Sequence, residues 1–475
     1  MVSVSNELAG VPAGMVSNAE WNDVRFRIAG EVLRAGDSGY DESRAIWNAM
    51  IDRRPAGIVL VESAEDVSQA VRFATEHGLQ LSVRGCGHNI AGTAVTDGGL
   101  MISFTRMKGV QVDAGSRRVR VQAGADWAVV DSATEPFGLV VPGGIVSTTG
   151  VSGFTLGGGF GWLTRKYGFT SDSLRRATVV LADGSIREAS LESEPELFWA
   201  IRGGGGNFGV VTEFEFEAQQ LGPEIVGGML LWPIDQMQDV AELFRRVTSS
   251  APSELVHVLF TRTAPAAPFL PETIHGKPVV GIAACFAGLV EDGLQALQPV
   301  KAFGKPLVDT IKPKSFREHQ AFLDAGQPYG RRYYWKSVYL PEFNNRAQDA
   351  LLAKATSFTS PFSSVLIPHL GGIPNPPDGA ASAVSFRNAE YLVNYQGSWE
   401  NPAEDELHMS WARDNFEAMA PNAIGQYVNF MTEDEVTDTA RAAYDEQSLT
   451  RLSQIKRHYD PENIFRLNKN IEPAG

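Results

Sequence analysis

The 475-residue chain is too long for one ordinary hydrophobic core, so its length predicts two or three domains. Its formal net charge of −15 argues against nucleic acid as a partner, while 43% hydrophobic and 20% charged residues are ordinary for a globular protein. The two cysteines, Cys86 and Cys285, cannot build a disulfide framework or a cysteine-based zinc site, and we predict no metal site. The sequence contains no run of about 18 apolar residues, so we predict no membrane span. Residues 1–20 lack the basic and apolar regions of a signal peptide, which predicts a cytoplasmic location.

The first clear unit of the chain is a β-α-β element. The branched run 57–61 predicts a strand, Ser63 predicts a helix start, and residues 81–83 predict the next strand. This unit leads directly into a first glycine-rich segment, residues 84–92, in which His88 lies among glycines. Backbone amides in such a segment can approach an anion closely, although one glycine-rich turn alone is weak evidence for a phosphate site.

A second glycine-rich segment, residues 142–161, follows three predicted short strands and a helix predicted at 127–137. It has too much glycine for an ordinary helix or strand and too many apolar residues for a flexible linker. A loop pressed against a flat ligand explains this composition, and a tightly packed turn without a ligand is the alternative. The preceding strands are predicted at 101–104, 109–112 and 118–122.

A strand predicted at 177–181 and a helix around 197–200 lead to a third glycine-rich segment, residues 202–212. None of the three segments fits the dinucleotide fingerprint or the phosphate loop that ends in Gly-Lys-Ser/Thr. Three such segments beside strands are much more specific than one. Together they predict a large cofactor that is held mainly by backbone groups.

Residues 222–420 change character and predict a second α+β domain with strands and helices interspersed. The C-terminal region predicts a short strand at 426–430, a helix with an apolar face, and a turn at Asp460 before proline. The strands of the second domain are predicted at 279–285, 364–367 and 391–395, its helices at 235–247, 346–358 and 405–419, and the apolar helix face at Leu449, Leu452 and Ile455.

These ordered motifs resemble those of the berberine-bridge-enzyme-like branch of the vanillyl-alcohol-oxidase superfamily, which has the PCMH-type FAD-binding fold. The resemblance is strong over 50–215, clear over 385–470 and thin over 222–360. It implies an α+β fold in which a two-part FAD domain holds an inserted α+β substrate domain, whose antiparallel sheet is covered by helices. The segments that carry the likeness are 84–88, 142–161, 202–212, 427–430 and 460–465, and the implied division is 1–220 (core about 50–220), 221–420 and 421–475.

The resemblance implies that His88 carries FAD covalently through the flavin 8α-methyl group; a non-covalent role for this histidine is the alternative. Many relatives add a bond from a cysteine in the second segment, but Val146 stands at that place, so we predict a single histidyl link. Thr149 occupies a position thought to gate oxygen in relatives, and its valine-like shape favours an oxidase. Cys86 replaces a family glycine, either as a packing residue or as a thiol near the flavin. The predicted cofactor-binding residues are Arg84, Gly85, Cys86, Gly87, His88, Asn89, Gly92, Gly144, Val146, Thr148, Thr149, Gly150, Gly153, Gly158, Gly159, Gly161, Gly206, Asn207, Gly209, Val210, Val211, Tyr427 and Asn429.

The implied reaction is hydride transfer from a substrate C–H bond to the flavin, with oxygen as the acceptor that yields hydrogen peroxide. The predicted substrate is a small alcohol, amine or polycyclic metabolite, and the predicted assembly is a monomer or homodimer. A dehydrogenase with another acceptor and a flavoprotein that sequesters a small toxic compound are the alternatives.

The catalytic base is where this sequence departs from its relatives. Alternation along 391–395 points Leu392 and Asn394 to one side, where relatives often place Lys and Glu or Gln. Asparagine cannot act as a base, although it can hydrogen-bond a substrate or the flavin. The candidate catalytic residues are Asn394, Tyr427, His369, Tyr391 and Thr149.

Overall fold

The computed structural model describes residues 16–268, 270–354, 357–375, 382–435 and 439–475. The first part of the chain contains the strands β1 (Glu31–Leu33), β2 (Gly57–Leu60), β3 (Leu81–Arg84), β4 (Leu100–Ser103), β5 (Val110–Asp113), β6 (Arg118–Gln122), β7 (Leu139–Val140), β8 (Leu174–Val180), β9 (Ile186–Ser190), β10 (Val210–Glu217) and β11 (Gln219–Gln220). Its helices are α1 (Asn18–Arg27), α2 (Tyr40–Arg44), α3 (Ala64–Glu76), α4 (Trp127–Thr134), α5 (Val151–Leu156), α6 (Thr164–Tyr167) and α7 (Pro195–Ile201).

Two sheets form the frame of this part. Strands β2, β4 and β3 run parallel with β1 antiparallel at the edge, and the second sheet has the antiparallel order β5-β6-β10-β8-β9. Helix α3 contacts both sheets. Ser63 caps this helix by accepting from the backbone N–H of Asp66 at 3.1 Å, and the buried face includes Val67 and Val71. The predicted β-α-β unit is therefore confirmed, and it delivers the first glycine-rich segment from the end of β3.

The second part of the chain is built on one large antiparallel sheet. Its path is β15-β12-β14-β13-β18-β19-β17, and β16 pairs with β12. The strands are β12 (Ile225–Pro233), β13 (Leu255–Thr263), β14 (Pro278–Phe286), β15 (Val308–Asp309), β16 (Lys312–Lys314), β17 (Arg332–Leu340), β18 (Ser364–Pro368) and β19 (Tyr391–Trp399). The helices that follow residue 220 are α8 (Met237–Thr248), α9 (Val290–Ala296), α10 (Gln298–Lys301), α11 (Phe316–Gln320), α12 (Asn345–Lys354), α13 (Asp405–Met419), α14 (Thr439–Ala443) and α15 (Glu446–Tyr459).

The two faces of the large sheet have different neighbours. One face packs under α8, α12 and α13 in a core that includes Leu259, Val393 and Tyr395. On the other face, Val258 and Phe260 belong to a cluster with residues of the first part, so the sheet closes over the glycine-rich segments. The C-terminal helix α15 returns to the first core through buried residues of its predicted apolar face. The division at residues 220 and 420 stays a prediction.

Three sequence expectations differ from the structure. The second glycine-rich segment contains the short helix α5, because Gly153 sits on the open side of that helix while Val151 and Leu156 are buried. Residues 426–430 are not a strand; they contain the 3-10 turn Val428–Phe430, whose flanking rings of Tyr427 and Phe430 pack together at 4.9 Å. Strands β12, β13 and β17 were not predicted. Across the described ranges, no helix is both long enough and apolar enough to cross a bilayer.

Candidate active site

A cavity of about 650 Å³ lies between the three glycine-rich segments and the large sheet. This volume is within the range of cofactor and ligand sites in proteins. One side is lined by residues of the glycine-rich segments and of the C-terminal region. The other side is lined by side chains of the sheet.

His88 lies in this cavity on a stack of aromatic rings. Its imidazole stacks on Trp47 with ring centroids 4.2 Å apart, and Trp47 stacks on Tyr333 at 3.7 Å. Burial lowers the pKa of His88 to about 4, so the imidazole is neutral at pH 7. Its Nε2 is buried without a hydrogen-bond partner in the described residues. A neutral imidazole that is held in place beside a cavity is suited to bond with a ligand through the ring nitrogen that remains open, Nδ1.

Two glycines of the cavity wall leave room that no protein atom fills. A Cβ built on Gly153 or Gly206 would meet no atom within 4 Å, although both residues line the cavity. Other glycines serve chain packing: a Cβ on Gly85 would lie 2.4 Å from Ser152, and one on Gly150 would lie 2.9 Å from Cys86. The first and second segments therefore touch through glycines, while Gly153 and Gly206 open a backbone cradle. A flat cofactor such as FAD fits this arrangement.

Cys86 also lines the cavity, and its Sγ donates to the carbonyl of Gly124 at 3.2 Å. Burial raises the pKa of this thiol to about 12, so it stays protonated. Its hydrogen bond and its burial fit a packed thiol near the cradle.

The second segment presents both Val146 and Thr149 to the cavity. The backbone N–H of Thr149 donates to the carbonyl of Val146 at 3.3 Å, and its own carbonyl accepts from Trp127 at the start of α4. Between them, Ser147 donates from its backbone and hydroxyl to Asp324 at 2.8 and 2.5 Å. Asp324, which lies far away in the sequence, thus fixes the turn that contains Val146 and Thr149.

The C-terminal region holds the third segment. The side chain of Asn207 donates to the carbonyls of Gly204 and Lys469 and accepts from the backbone of Ile471. Lys456 donates to the carbonyl of Asn207 at 2.8 Å, and Lys456 itself forms a fully buried ion pair with Asp460. The Asp-Pro turn of the sequence signature is therefore an anchor for the cradle.

The sheet side of the cavity is mostly apolar but carries one polar row. Neighbouring strands pair Arg262 with Ser364, Ser364 with Gln396, and Gln396 with Trp335, and all four line the cavity. The Gln396 carbonyl accepts from the Ser364 hydroxyl at 3.0 Å and from Gln327 at 3.2 Å. These two bonds leave the Gln396 amide N–H groups to donate. The apolar residues of this wall include Met229, Leu231, Val258, Phe260 and Leu366.

The cavity brings together most of the predicted cofactor residues but not all of them. Outside its lining, Gly161 approaches the carbonyl of Gly143 so closely that a Cβ would lie 2.0 Å away, and Arg84 donates to the carbonyl of Ser43. These residues support the segments and do not face the cavity. The predicted residues outside the lining are Arg84, Gly92, Thr148, Gly158, Gly159, Gly161 and Tyr427.

Of the predicted catalytic residues, only Thr149 lines the cavity. Tyr391 bonds Thr248 of α8 at 2.6 Å, so it faces the covering helices. His369 lies beside Tyr391 with ring centroids 5.3 Å apart, and burial lowers its pKa to about 2. Asn394 points to the cavity side of the sheet as alternation predicts, but it is buried, and its two polar atoms have no partner among the described residues.

Tyr427 is buried among aromatic rings, where its hydroxyl accepts from Asn429 at 2.8 Å. Burial raises its pKa further above the ordinary range, so it does not ionise near neutrality. Asn429 lines the cavity and also donates to the carbonyl of Phe154. The tyrosine therefore orients a cavity residue.

Sequence reasoning missed the residues that other parts of the chain bring to the site: Trp47, Arg262, Asp324, Gln327, Trp335 and Gln396. Gln396 had a usable signal, because alternation from Leu392 and Asn394 reaches it in one further step. The other contacts join positions far apart in the sequence and left no local pattern.

Comparison with known proteins agrees with this geometry. Residues 55–190 match the family model described as FAD binding domain, and residues 426–472 match the model described as berberine and berberine like. The chain is 30% identical to (R)-6-hydroxynicotine oxidase of Paenarthrobacter nicotinovorans, with 94% of this chain and 98% of that protein covered.

Solved structures extend the likeness to nearly the whole fold. The 6-hydroxy-D-nicotine oxidase from Arthrobacter nicotinovorans superposes with a TM-score of 0.83 at 28% identity, covering 94% of this chain and 98% of that one. Glucooligosaccharide oxidase from Acremonium strictum, studied for its 6-S-cysteinyl, 8α-N1-histidyl FAD, gives a TM-score of 0.82 at 25% identity and covers 96% and 99%. The cradle, the segments and these matches together show that the chain belongs to the berberine-bridge-enzyme-like family and is an FAD-dependent oxidoreductase.

Proposed function

We propose that this enzyme oxidises a small, largely apolar alcohol, amine or polycyclic metabolite by hydride transfer to FAD that is bound covalently to His88. FAD supplies the hydride acceptor. Oxygen is the proposed final acceptor and leaves as hydrogen peroxide. The observation that carries the proposal is the neutral imidazole of His88, which lines the cavity at the glycine cradle and is braced by Trp47.

The covalent link is proposed to be histidyl only. Val146 faces the cavity from the second segment and has no nucleophilic atom. The Cys86 thiol is close to the cradle, but its raised pKa and its bond to a carbonyl oppose a cysteinyl link.

Acid precipitation of the purified holoenzyme tests this link. We expect yellow flavin to stay with the wild-type and Cys86→Ser pellets and to be lost from the His88→Ala pellet. Cys86→Ser is the matched control, since it lies two residues away and lines the same cavity. Yellow supernatant from the wild-type protein, or a colourless Cys86→Ser pellet, would contradict a histidyl-only link.

Thr149 supports the assignment of oxygen as acceptor, because its branched, compact side chain lines the cavity. We expect Thr149→Leu to slow the reoxidation of reduced flavin by air about tenfold or more, since the larger side chain occupies the approach; a tenfold change corresponds to about 1.4 kcal/mol. Thr149→Val keeps the shape and is expected to reoxidise at the wild-type rate. Stopped-flow absorbance of the photoreduced enzyme measures both. Slow wild-type reoxidation would instead favour a dehydrogenase.

A second candidate function is the binding of a small compound without turnover. It is favoured by the sheet side of the cavity, where the described lining residues include no carboxylate and no imidazole that could act as a base. Anaerobic mixing with candidate compounds separates the two functions. Bleaching of the flavin indicates hydride transfer, whereas tight binding with unchanged flavin oxidation state indicates sequestration.

A further inference from the structure

Arg262 is a cation in the wall of the cavity. It ends the polar row on β13, and its one hydrogen bond within the described residues runs from Nε to the carbonyl of Thr263 at 3.2 Å. Four of its five N–H donors therefore have no protein acceptor there. No carboxylate of the described ranges forms an ion pair with it.

The neighbouring arginine is satisfied differently. Arg331 lies 3.5 Å from Glu400 and stacks over the ring of Phe362 at 4.0 Å, and it does not line the cavity. Burial and repulsion from Arg331 lower the pKa of Arg262, which shows that its charge is poorly compensated. Arg262 is half-buried, and a guanidinium partly withdrawn from solvent without a partner is costly unless an anion or water compensates it.

The surroundings of Arg262 are otherwise apolar. Phe260 and Leu366 line the cavity one step along the same two strands, and Ala264 and Leu270 line it beyond the strand end. A ligand that fits this part of the cavity has an apolar body and one group that accepts hydrogen bonds from a guanidinium.

We infer that Arg262 binds a carboxylate of the substrate, so that the enzyme oxidises a hydrophobic carboxylic acid. This inference rests on the proposed function and narrows its substrate class. The planar fork of arginine matches a carboxylate through two parallel hydrogen bonds. Arg262 and Gln396 are two strand spacings apart, which is about 10 Å. The substrate carboxylate at Arg262 therefore lies at a distance from the part of the substrate that Gln396 contacts. Arg262 is thus a specificity-determining residue and takes no proton.

The test is a binding titration of the holoenzyme with 2-naphthoate and its neutral counterpart 2-naphthamide, followed by the perturbation of flavin absorbance. We expect the acid to bind about 10- to 100-fold more tightly than the amide, the range of a hydrogen bond to a charged group. The overall charge of −15 would by itself repel the acid, so a preference for it reports a local cation.

Three variants locate that cation. Arg262→Gln is expected to lose the preference, Arg262→Lys to keep part of it because a point charge replaces the fork, and Arg331→Gln to keep all of it. Equal binding of acid and amide by the flavin-loaded wild-type enzyme would overturn the inference even if Arg262→Gln failed to fold. An undiminished preference in folded Arg262→Gln would also overturn it. A protein without bound flavin would instead overturn the proposed function, which the acid-precipitation assay reports separately.

Discussion

The buried ion pair between Lys456 and Asp460 gives a sharp prediction about stability and cofactor retention. Both side chains are fully buried, with Nζ and Oδ2 2.6 Å apart. Asp460 also accepts from the backbone N–H groups of Ile464 and Phe465 at 2.8 and 2.9 Å. The two N–H groups bond different carboxylate oxygens, so Asp460→Asn keeps an acceptor for only one of them and also removes the negative charge. The Lys456 ammonium is then buried without its counter-ion.

Breaking a buried pair in this way costs about 3–5 kcal/mol, because an uncompensated charge remains in a low-dielectric site. Lys456 also donates to the carbonyl of Asn207, so the loss reaches the third glycine-rich segment and reduces flavin content. Urea denaturation followed by tryptophan fluorescence measures the stability, and the ratio of flavin to protein absorbance measures the content. Replacing both partners, Lys456→Met with Asp460→Asn, is expected to recover part of the lost stability, because the buried charge is removed while the backbone groups that the pair satisfied stay unpaired. The reasoning is wrong if the free energy of unfolding of Asp460→Asn lies within about 1 kcal/mol of the wild-type value. It is also wrong if the double variant is no more stable than the single variant.

Two further predictions concern the cradle and acid stability. Gly206→Ala is expected to lower the flavin content of the purified protein without lowering its stability, because the added Cβ meets the cofactor and no protein atom; Gly222→Ala, whose Cβ makes only an ordinary contact at 3.8 Å, serves as the control. Burial lowers the pKa of His257 to about 3, so the unfolded chain gains a proton between pH 6.5 and 3 that the folded protein does not, and stability falls as the pH drops through this window. His257→Leu is expected to reduce the slope of the free energy of unfolding against pH by on the order of 1 kcal/mol per pH unit, measured by urea denaturation at several pH values. A substitution of the exposed His458 is the control and is expected to leave the slope unchanged. Equal slopes in the wild type and both variants would contradict the assignment.

The elements that the sequence predicted well are those with a short-range cause. Ser63 caps α3, the apolar positions of α3 recur at helical spacing, and the three glycine-rich segments stand out by composition. Each of these signals lies within about a dozen residues. They were sufficient to predict a large cofactor held mainly by backbone groups, and the family resemblance identified that cofactor as FAD.

Strands β12, β13 and β17 escaped prediction because both of their faces are buried. Their residues are almost continuously buried between the covering helices and the first part of the chain, so alternation is lost. The predicted base candidates failed to reach the cavity for a related reason. The sequence context of Tyr391 does not reveal that its hydroxyl bonds Thr248 of α8, and that of His369 does not reveal that its ring lies beside Tyr391.

The two sides of the cavity therefore carry different kinds of information. On the cofactor side, glycines such as Gly206 leave space that no protein atom fills, and their density leaves a strong motif in the sequence. On the sheet side, any side chain of suitable length can occupy a strand position, so the chemistry follows the substrate and the resemblance over 222–360 is thin. Arg262 and Gln396 lie on that side, in one row of the sheet. They are consequently the positions at which we propose that the substrate is selected, and no motif of the cofactor side could have predicted them.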